Sequence, residues 1–404
     1  MSDKPFNPAN AVQDLQVFGE FGGVNPSITD SSTYTYLAGR TMEEVFGGER
    51  EGCYLYSRHL NPSASYLGQA LAKLENTEFA QVTASGMGAI SAVLMQLCGS
   101  GDHIVSSRTI YGGTYAFMKH FLPRYNVTTS FVDTNNLDAV RAAITDDTKV
   151  LYCEVLSNPL LEVADIREMS KLAKEHNLIL VVDNTFTPMI FSPKEMGADI
   201  VIHSLTKFIN GASDTVGGAV CGTKEFVLSL IDVNHGAAML LGPTMDSLRA
   251  AGILKNMHTL HVRMRQHSYN ANYLAHRFEE MGLRVLYPGL ESHPQHELFA
   301  NMANPEFGFG GMLTLDVGDM TTAYKLLEAM QNDNIGYLAV SLGYYRTLFS
   351  VSGASTSSEI PEEEQKTMGL SPGLIRFSIG LDHDIERTFD KMVQCMKDIG
   401  FVQD

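Results

Sequence analysis

The sequence predicts an α/β protein: a mostly parallel sheet covered by helices, a smaller C-terminal α+β domain, and an extended N-terminal arm. Three observations predict it. Apolar runs of strand length alternate with helix-period stretches from about residue 61 to residue 250, the pattern of a parallel sheet with helical crossovers. That alternation ends near residue 250, and the first 60 residues show no sustained period of 2 or 3.6. At 404 residues the chain also exceeds the usual size of a single core, so a large domain (61–250) and a small one (251–404) are expected beside the arm (1–60).

The arm is rich in Gly, Asn, Ser and Thr, as in Phe21-Gly-Gly-Val-Asn-Pro-Ser-Ile-Thr, which favours turns over regular elements. The large domain then offers strand candidates at Asp102–Ser106, Val127–Val132, Lys149–Glu154, Leu178–Val182, Asp199–His203 and Gly218–Gly222. A long polar-apolar segment from Met245 to Gly282 reads as helix joining the two halves. Strands at Gly310–Val317 and Leu374–Gly380, with helices at Thr321–Asn332 and Asp384–Ile399, complete the small domain.

Composition narrows the function classes. With 29 basic and 46 acidic residues, the net charge of −17 repels phosphate backbones and anionic headgroups, so nucleic acid is not expected as a partner. The short acidic run Glu359–Glu364 reads as a solvated turn. Hydrophobic content is 44%, and no stretch approaches the ~20 apolar residues of a membrane span, so no membrane partner is expected either. Met1-Ser-Asp-Lys-Pro-Phe lacks the basic and then apolar blocks of a secretory signal. The five cysteines are widely spaced, with no C-x-x-C pair. A cytoplasmic protein without a metal is the expectation.

The chemistry concentrates at two strand ends. Ala198-Asp-Ile-Val-Ile-His-Ser204-Leu-Thr206-Lys207 is an apolar strand that empties into two hydroxyls and an amine. Leu178-Ile-Leu-Val-Val-Asp183 delivers an acid at its own C-terminal end, the edge where α/β sheets place ligands. Taken singly, Lys207 reads as a surface lysine and Asp183 as a turn or cap residue. Taken together, an amine and an acid at adjoining strand ends suit pyridoxal 5'-phosphate (PLP), with Lys207 forming the Schiff base and Asp183 keeping the pyridine nitrogen protonated. Upstream, Thr83-Ala-Ser-Gly86-Met87-Gly runs into an amphipathic helix, whose free N–H groups and dipole, worth roughly 0.3–1 kcal/mol, suit a phosphate. Ser204 and Thr206 add hydroxyl donors, although either alone reads as a cap or turn residue.

Val182-Asp183-Asn184-Thr185-Phe186 with Ile202-His203-Ser204-Leu205-Thr206-Lys207 resembles the signature of the Cys/Met-metabolism family of PLP enzymes. That family includes cystathionine γ-synthase, cystathionine β- and γ-lyases, methionine γ-lyase and O-acylhomoserine sulfhydrylases. The resemblance runs from about residue 50 to residue 390 and implies PLP fold type I. It implies that Tyr56 and Arg58, in Tyr54-Leu-Tyr56-Ser-Arg58, reach into a neighbouring subunit's site and grip the cofactor phosphate. An arginine–phosphate contact is charge-assisted, on the order of 1.5–3 kcal/mol. A homo-oligomer follows, a tetramer built from active-site-sharing dimers.

The same resemblance gives Tyr111 a place stacked on the cofactor ring and a role in protonating the leaving group. Asn158 is implied near the ring oxygen and the substrate, and Arg376 with Ser341 at the carboxylate of an amino-acid substrate. The implied reaction is γ-elimination from a γ-substituted amino acid of the methionine, cystathionine or homoserine type, giving a 2-oxo acid and ammonia, with Lys207 moving the Cα and Cβ protons. Replacement by an external thiol uses the same residues, as does elimination of a non-thiol leaving group. A catalytically silent PLP-fold binding protein is the reading from another class, and retention of Lys207, Asp183, Tyr111 and Arg376 argues against it. Two departures stand out. Methionine γ-lyases typically carry cysteine at the position of Gly113, and many members carry an acid near that of Arg346. The segment Leu240–Asp246 also departs from the usual pattern.

Overall fold

The computed structural model describes residues 5–47, 49–50, 52–352 and 370–403. The acidic run Glu359–Glu364 lies outside the described residues. A seven-stranded sheet is built from β1 (Phe79–Thr83), β2 (His103–Ser107), β3 (Thr128–Val132), β4 (Thr148–Glu154), β5 (Ile179–Asp183), β6 (Ile200–Ser204) and β7 (Gly218–Gly222). Its order is β1-β7-β6-β5-β4-β2-β3, and only β7 runs against its neighbours. Because β1, β4, β5 and β6 share one direction, their C-terminal ends open onto one edge, where α/β folds place ligands.

Helices cover both faces of this sheet, so its central strands are apolar on both sides; β2 and β7 are buried at every residue. Local chemistry sets the helix starts. Asn61 accepts hydrogen bonds from the Ser63 and Ala64 N–H groups, and Pro62 supplies the first turn of Pro62–Glu75. Ser85 Oγ accepts the Gly88 N–H at 2.9 Å and starts Gly86–Leu97 at the sheet edge. Asn76, left-handed at φ 52°, ends the earlier helix.

The expected linking helix over 245–282 is two helices, Ser247–Met257 and Leu260–Glu280. At the break, Arg263 donates to the carbonyls of Asn256 (3.1 Å), Ile209 (2.8 Å) and Phe208, so one guanidinium ties the helix pair to the backbone beyond Lys207. Burial lowers this guanidinium to about 10.

The small domain is a second sheet of β8 (Arg284–Leu286), β9 (Met312–Asp316), β10 (Gly336–Leu338), β11 (Thr347–Val351) and β12 (Leu374–Ser378), ordered β10-β11-β12-β9-β8. Helices Met320–Asn332 and Ile385–Asp398 pack on it around Leu313, Phe349 and Phe377. The expected strands and helices there are present. Strands β1, β8, β10 and β11 were not anticipated. The arm carries two short helices, Pro8–Gln13 and Gly39–Phe46, between extended stretches. Among the described residues, no helix is long and apolar enough to cross a membrane.

Candidate active site

A cavity of about 400 Å³ opens at the shared strand edge. Asp183 closes β5, Ser204 closes β6, and Lys207 follows three residues later; all line it with Gly86, Met87 and Thr206. Tyr111, Asn158, Ser341 and Arg376 complete the convergence, so ten residues singled out in the sequence meet in one space.

Lys207 is mostly buried, and its amine donates to Ser341 Oγ at 2.9 Å. Burial, and then the Arg376 guanidinium, lower this amine to about 8. Ser341 holds a left-handed backbone, φ 90°, a conformation that costs a non-glycine residue roughly 1–3 kcal/mol. That conformation lets one residue serve two partners, because its carbonyl also accepts from Arg376 Nη2 at 3.1 Å. Gly343 explains how the loop comes so close. At φ 77° it places a hypothetical Cβ 2.5 Å from the Phe208 nitrogen, so only glycine lets the small domain press on the lysine's own segment.

Arg376 is 3% exposed on β12, and its Nη1 donates to Asn158 Oδ1 at 3.2 Å. Its Nε is buried with no hydrogen-bond partner among the described residues, and burial lowers the group to about 10. A buried guanidinium with a donor to spare suits a carboxylate ligand.

Asp183 accepts the Thr185 N–H at 2.9 Å, and Thr185 Oγ1 accepts the Ser204 N–H at 2.8 Å. Burial raises Asp183 above the ordinary carboxylate range, with Thr185 and the His203 imidazole opposing. A cationic ring nitrogen is the kind of partner that restores the anion. On the other face of β6, His203 Nε2 meets Glu75 Oε1 at 2.6 Å, with both side chains fully buried and Asn184 Nδ2 donating to the same oxygen at 3.0 Å.

The phosphate-grade turn is also present. A Cβ on Gly86 would stand 2.9 Å from Ser204 Cβ, so the glycine keeps the helix start against the strand end. The departing segment Leu240–Asp246 packs here, where the Pro243 carbonyl accepts the Ala84 N–H at 2.8 Å. Thr206 Oγ1 accepts the Gly217 N–H at 3.0 Å. The amine, the acid, the small-residue helix start and the flanking hydroxyls together fit PLP.

Tyr56 and Arg58 are not brought to this cavity within one chain. Arg58 lies over the Tyr56 ring at 5.6 Å and donates to the Met239 carbonyl at 2.7 Å, in a separate aromatic hollow with Tyr34, Tyr36 and Phe46. Arg346 does not line the cavity either: it lies 5.1 Å over the Tyr337 ring and donates to the Asn334 carbonyl. Gly113 is adjacent to the site, since a Cβ there would stand 2.5 Å from Tyr111 Cε1. Sequence reasoning missed Glu154, which closes β4 beside Asp183 and lines the cavity. The strand-end rule that found Asp183 applies equally to Glu154.

The chain matches the family model described as Cys/Met metabolism PLP-dependent enzyme over residues 10–394. It is 47% identical over 388 residues to a methionine gamma-lyase of Arabidopsis thaliana, covering 94% of this chain and 88% of that one. It is 36% identical over 382 residues to a cystathionine gamma-lyase of Bacillus subtilis, covering 94% and 95%. A crystal structure from Campylobacter jejuni, described as an O-acetylhomoserine (thiol)-lyase and carrying a pyridoxyl-lysine phosphate, superposes with a TM-score of 0.89. It is 28% identical, over 97% of this chain and 100% of that one.

Proposed function

We infer, since this chain belongs to the Cys/Met metabolism family of PLP-dependent enzymes, that it catalyses γ-elimination from a γ-substituted amino acid of the methionine, cystathionine or homoserine type. The products are a 2-oxo acid and ammonia. The observation that carries the reading is Lys207 itself: a mostly buried amine lowered to about 8, held by Ser341 in the cavity that Asp183 and Arg376 also line.

PLP, when bound, supplies the sink for electrons released at the substrate's Cα. Lys207 would hold the cofactor and, as a free base, would move protons at Cα and Cβ. Asp183 holds the ring nitrogen's proton. The Gly86 and Met87 amides and the Ser204 and Thr206 hydroxyls would hold the phosphate. Arg376 grips the substrate carboxylate with Ser341 beside it, and Asn158 orients both cofactor and substrate. Tyr111, 46% exposed at the cavity mouth, would lie against the cofactor and would supply a proton to the leaving group. Tyr56 and Arg58 serve the site of a neighbouring copy, which explains their distance from the chain's own cavity. The assembly is a cytoplasmic homotetramer of site-sharing dimers.

The second reading is γ-replacement, favoured by the likeness to the Campylobacter jejuni structure. A panel of methionine, cystathionine, homocysteine and O-acetylhomoserine, assayed for 2-oxo acid with and without sulfide, separates the two. Release of 2-oxobutanoate without sulfide, lost in Lys207→Ala together with the cofactor's absorbance band, supports elimination. Product only with sulfide moves the assignment to replacement, and no band at all removes both.

A further inference from the structure

Two acids, not one, end at the cofactor edge. Glu154 and Asp183 are register partners on the parallel strands β4 and β5, so their side chains leave the same face of neighbouring strands that are spaced about 4.8 Å apart. Glu154 is 6% exposed and Asp183 8%. Neither makes a salt bridge among the described residues. Buried carboxylates this close do not both ionise; one holds a proton.

The surrounding groups decide which one. Thr185 serves Asp183 with its N–H at 2.9 Å and with its hydroxyl, and the His203 imidazole stands behind it on β6. Among the described residues Glu154 receives backbone amides alone: the Tyr111 N–H at 2.7 Å and the Asn158 N–H. Tyr152, two residues back on the same face of β4, lies beside both acids, and its buried hydroxyl helps to hold Asp183 as the anion. Lys207 and Arg376 line the same cavity, but the Lys207 amine donates to Ser341 and the two Nη atoms of Arg376 to Asn158 and Ser341, leaving its Nε for a ligand. Burial, with Asp183 adding to it, pushes Glu154 far above the ordinary carboxylate range.

We propose that Glu154 works as a neutral carboxylic acid, a positioning residue that anchors the Tyr111 amide over the cavity and leaves Asp183 the only anion facing the cofactor's ring. This rests on the PLP reading above. The Tyr111 amide sits where Gly112–Ala116 begins, with no side-chain cap of its own, so Glu154 is what fixes the entry of that short helix. Glutamine reproduces a neutral acid's shape and its acceptor oxygen; alanine removes both.

The experiment compares wild type, Glu154→Gln and Glu154→Ala as PLP-loaded enzymes. Infrared spectra at neutral pH should contain a protonated-carboxyl stretch that Glu154→Gln abolishes. The pH midpoint of the bound cofactor's absorbance should be the same in Glu154→Gln as in wild type. Glu154→Ala should keep bound PLP but lose its induced circular dichroism, with kcat down roughly tenfold to a hundredfold and KM little changed, and Glu154→Gln should restore both signals. A carboxyl stretch that survives in Glu154→Gln, or a midpoint that moves, overturns the neutral acid. Wild-type dichroism and kcat in Glu154→Ala overturn the positioning role. If Glu154→Ala does not fold, the infrared and midpoint results on Glu154→Gln still decide. The spectral measurements need no substrate, so wild type failing to release a 2-oxo acid would count against γ-elimination alone.

Discussion

An amine captures an aldehyde only as its free base, and the setting of Lys207 makes that state accessible near neutrality. With the amine lowered to about 8, roughly one lysine in ten is unprotonated at pH 7; at the ordinary value of 10.5 it would be about one in three thousand. The ratio is about 300-fold in reactive amine. Two causes produce it, burial first and the Arg376 guanidinium second, so they respond to different perturbations. Apoenzyme mixed with PLP in a stopped-flow instrument should capture cofactor about tenfold faster per pH unit below 8, then level off. Arg376→Met removes the second cause, leaves burial in place, and should move the plateau to higher pH. Ser341→Ala removes the hydroxyl that accepts a hydrogen bond from the Lys207 amine and should change the capture rate without abolishing it. A wild-type rate still climbing tenfold per unit at pH 10 would refute the argument, because it would mean the amine is not perturbed.

Three further outcomes follow from the packing. Gly343→Ala forces a Cβ to 2.5 Å from the Phe208 nitrogen at a positive φ and should cost roughly 2–4 kcal/mol, read from the urea midpoint at fixed protein concentration; a change under about 0.5 kcal/mol would contradict the close approach. Glu75→Leu strands the fully buried His203 and should cost about 3–5 kcal/mol in the same assay; a neutral result would show that the pair is dispensable. Gly113→Cys should displace the Tyr111 ring and change kcat/KM by roughly tenfold while PLP still binds; unchanged kinetics across the substrate panel would mean that the ring has room elsewhere.

The residues that the sequence exposed share a property: each ends or follows an apolar strand or opens a small-residue helix start. Asp183, Ser204 and Lys207 were legible because a polar group after four or five apolar residues breaks the pattern. Glu154 obeys the same rule, but Tyr152 and Cys153 before it blur the end of the apolar run. Strand β1, Phe-Ala-Gln-Val-Thr, was missed because it is a short edge strand with a polar centre. The linking segment was read as one helix because its periodicity continues through the break, where Arg263 reaches three backbone carbonyls that no local pattern reveals. Arg346 stands out in the sequence only as a departure from the family pattern; in the fold it lies over Tyr337.

By itself, the sequence determined the α/β class, the order of most elements and the candidate lysine, because hydrophobic period and strand-end polarity are local properties of the chain. The tertiary structure decided how those groups behave. The lowered amine of Lys207 depends on burial and on Arg376, 169 residues away along the chain, and its hydrogen bond to Ser341 spans 134. The pairing of Glu154 with Asp183 depends on strand register. Desolvation and register are set only when distant segments meet, so no window of the sequence contains them.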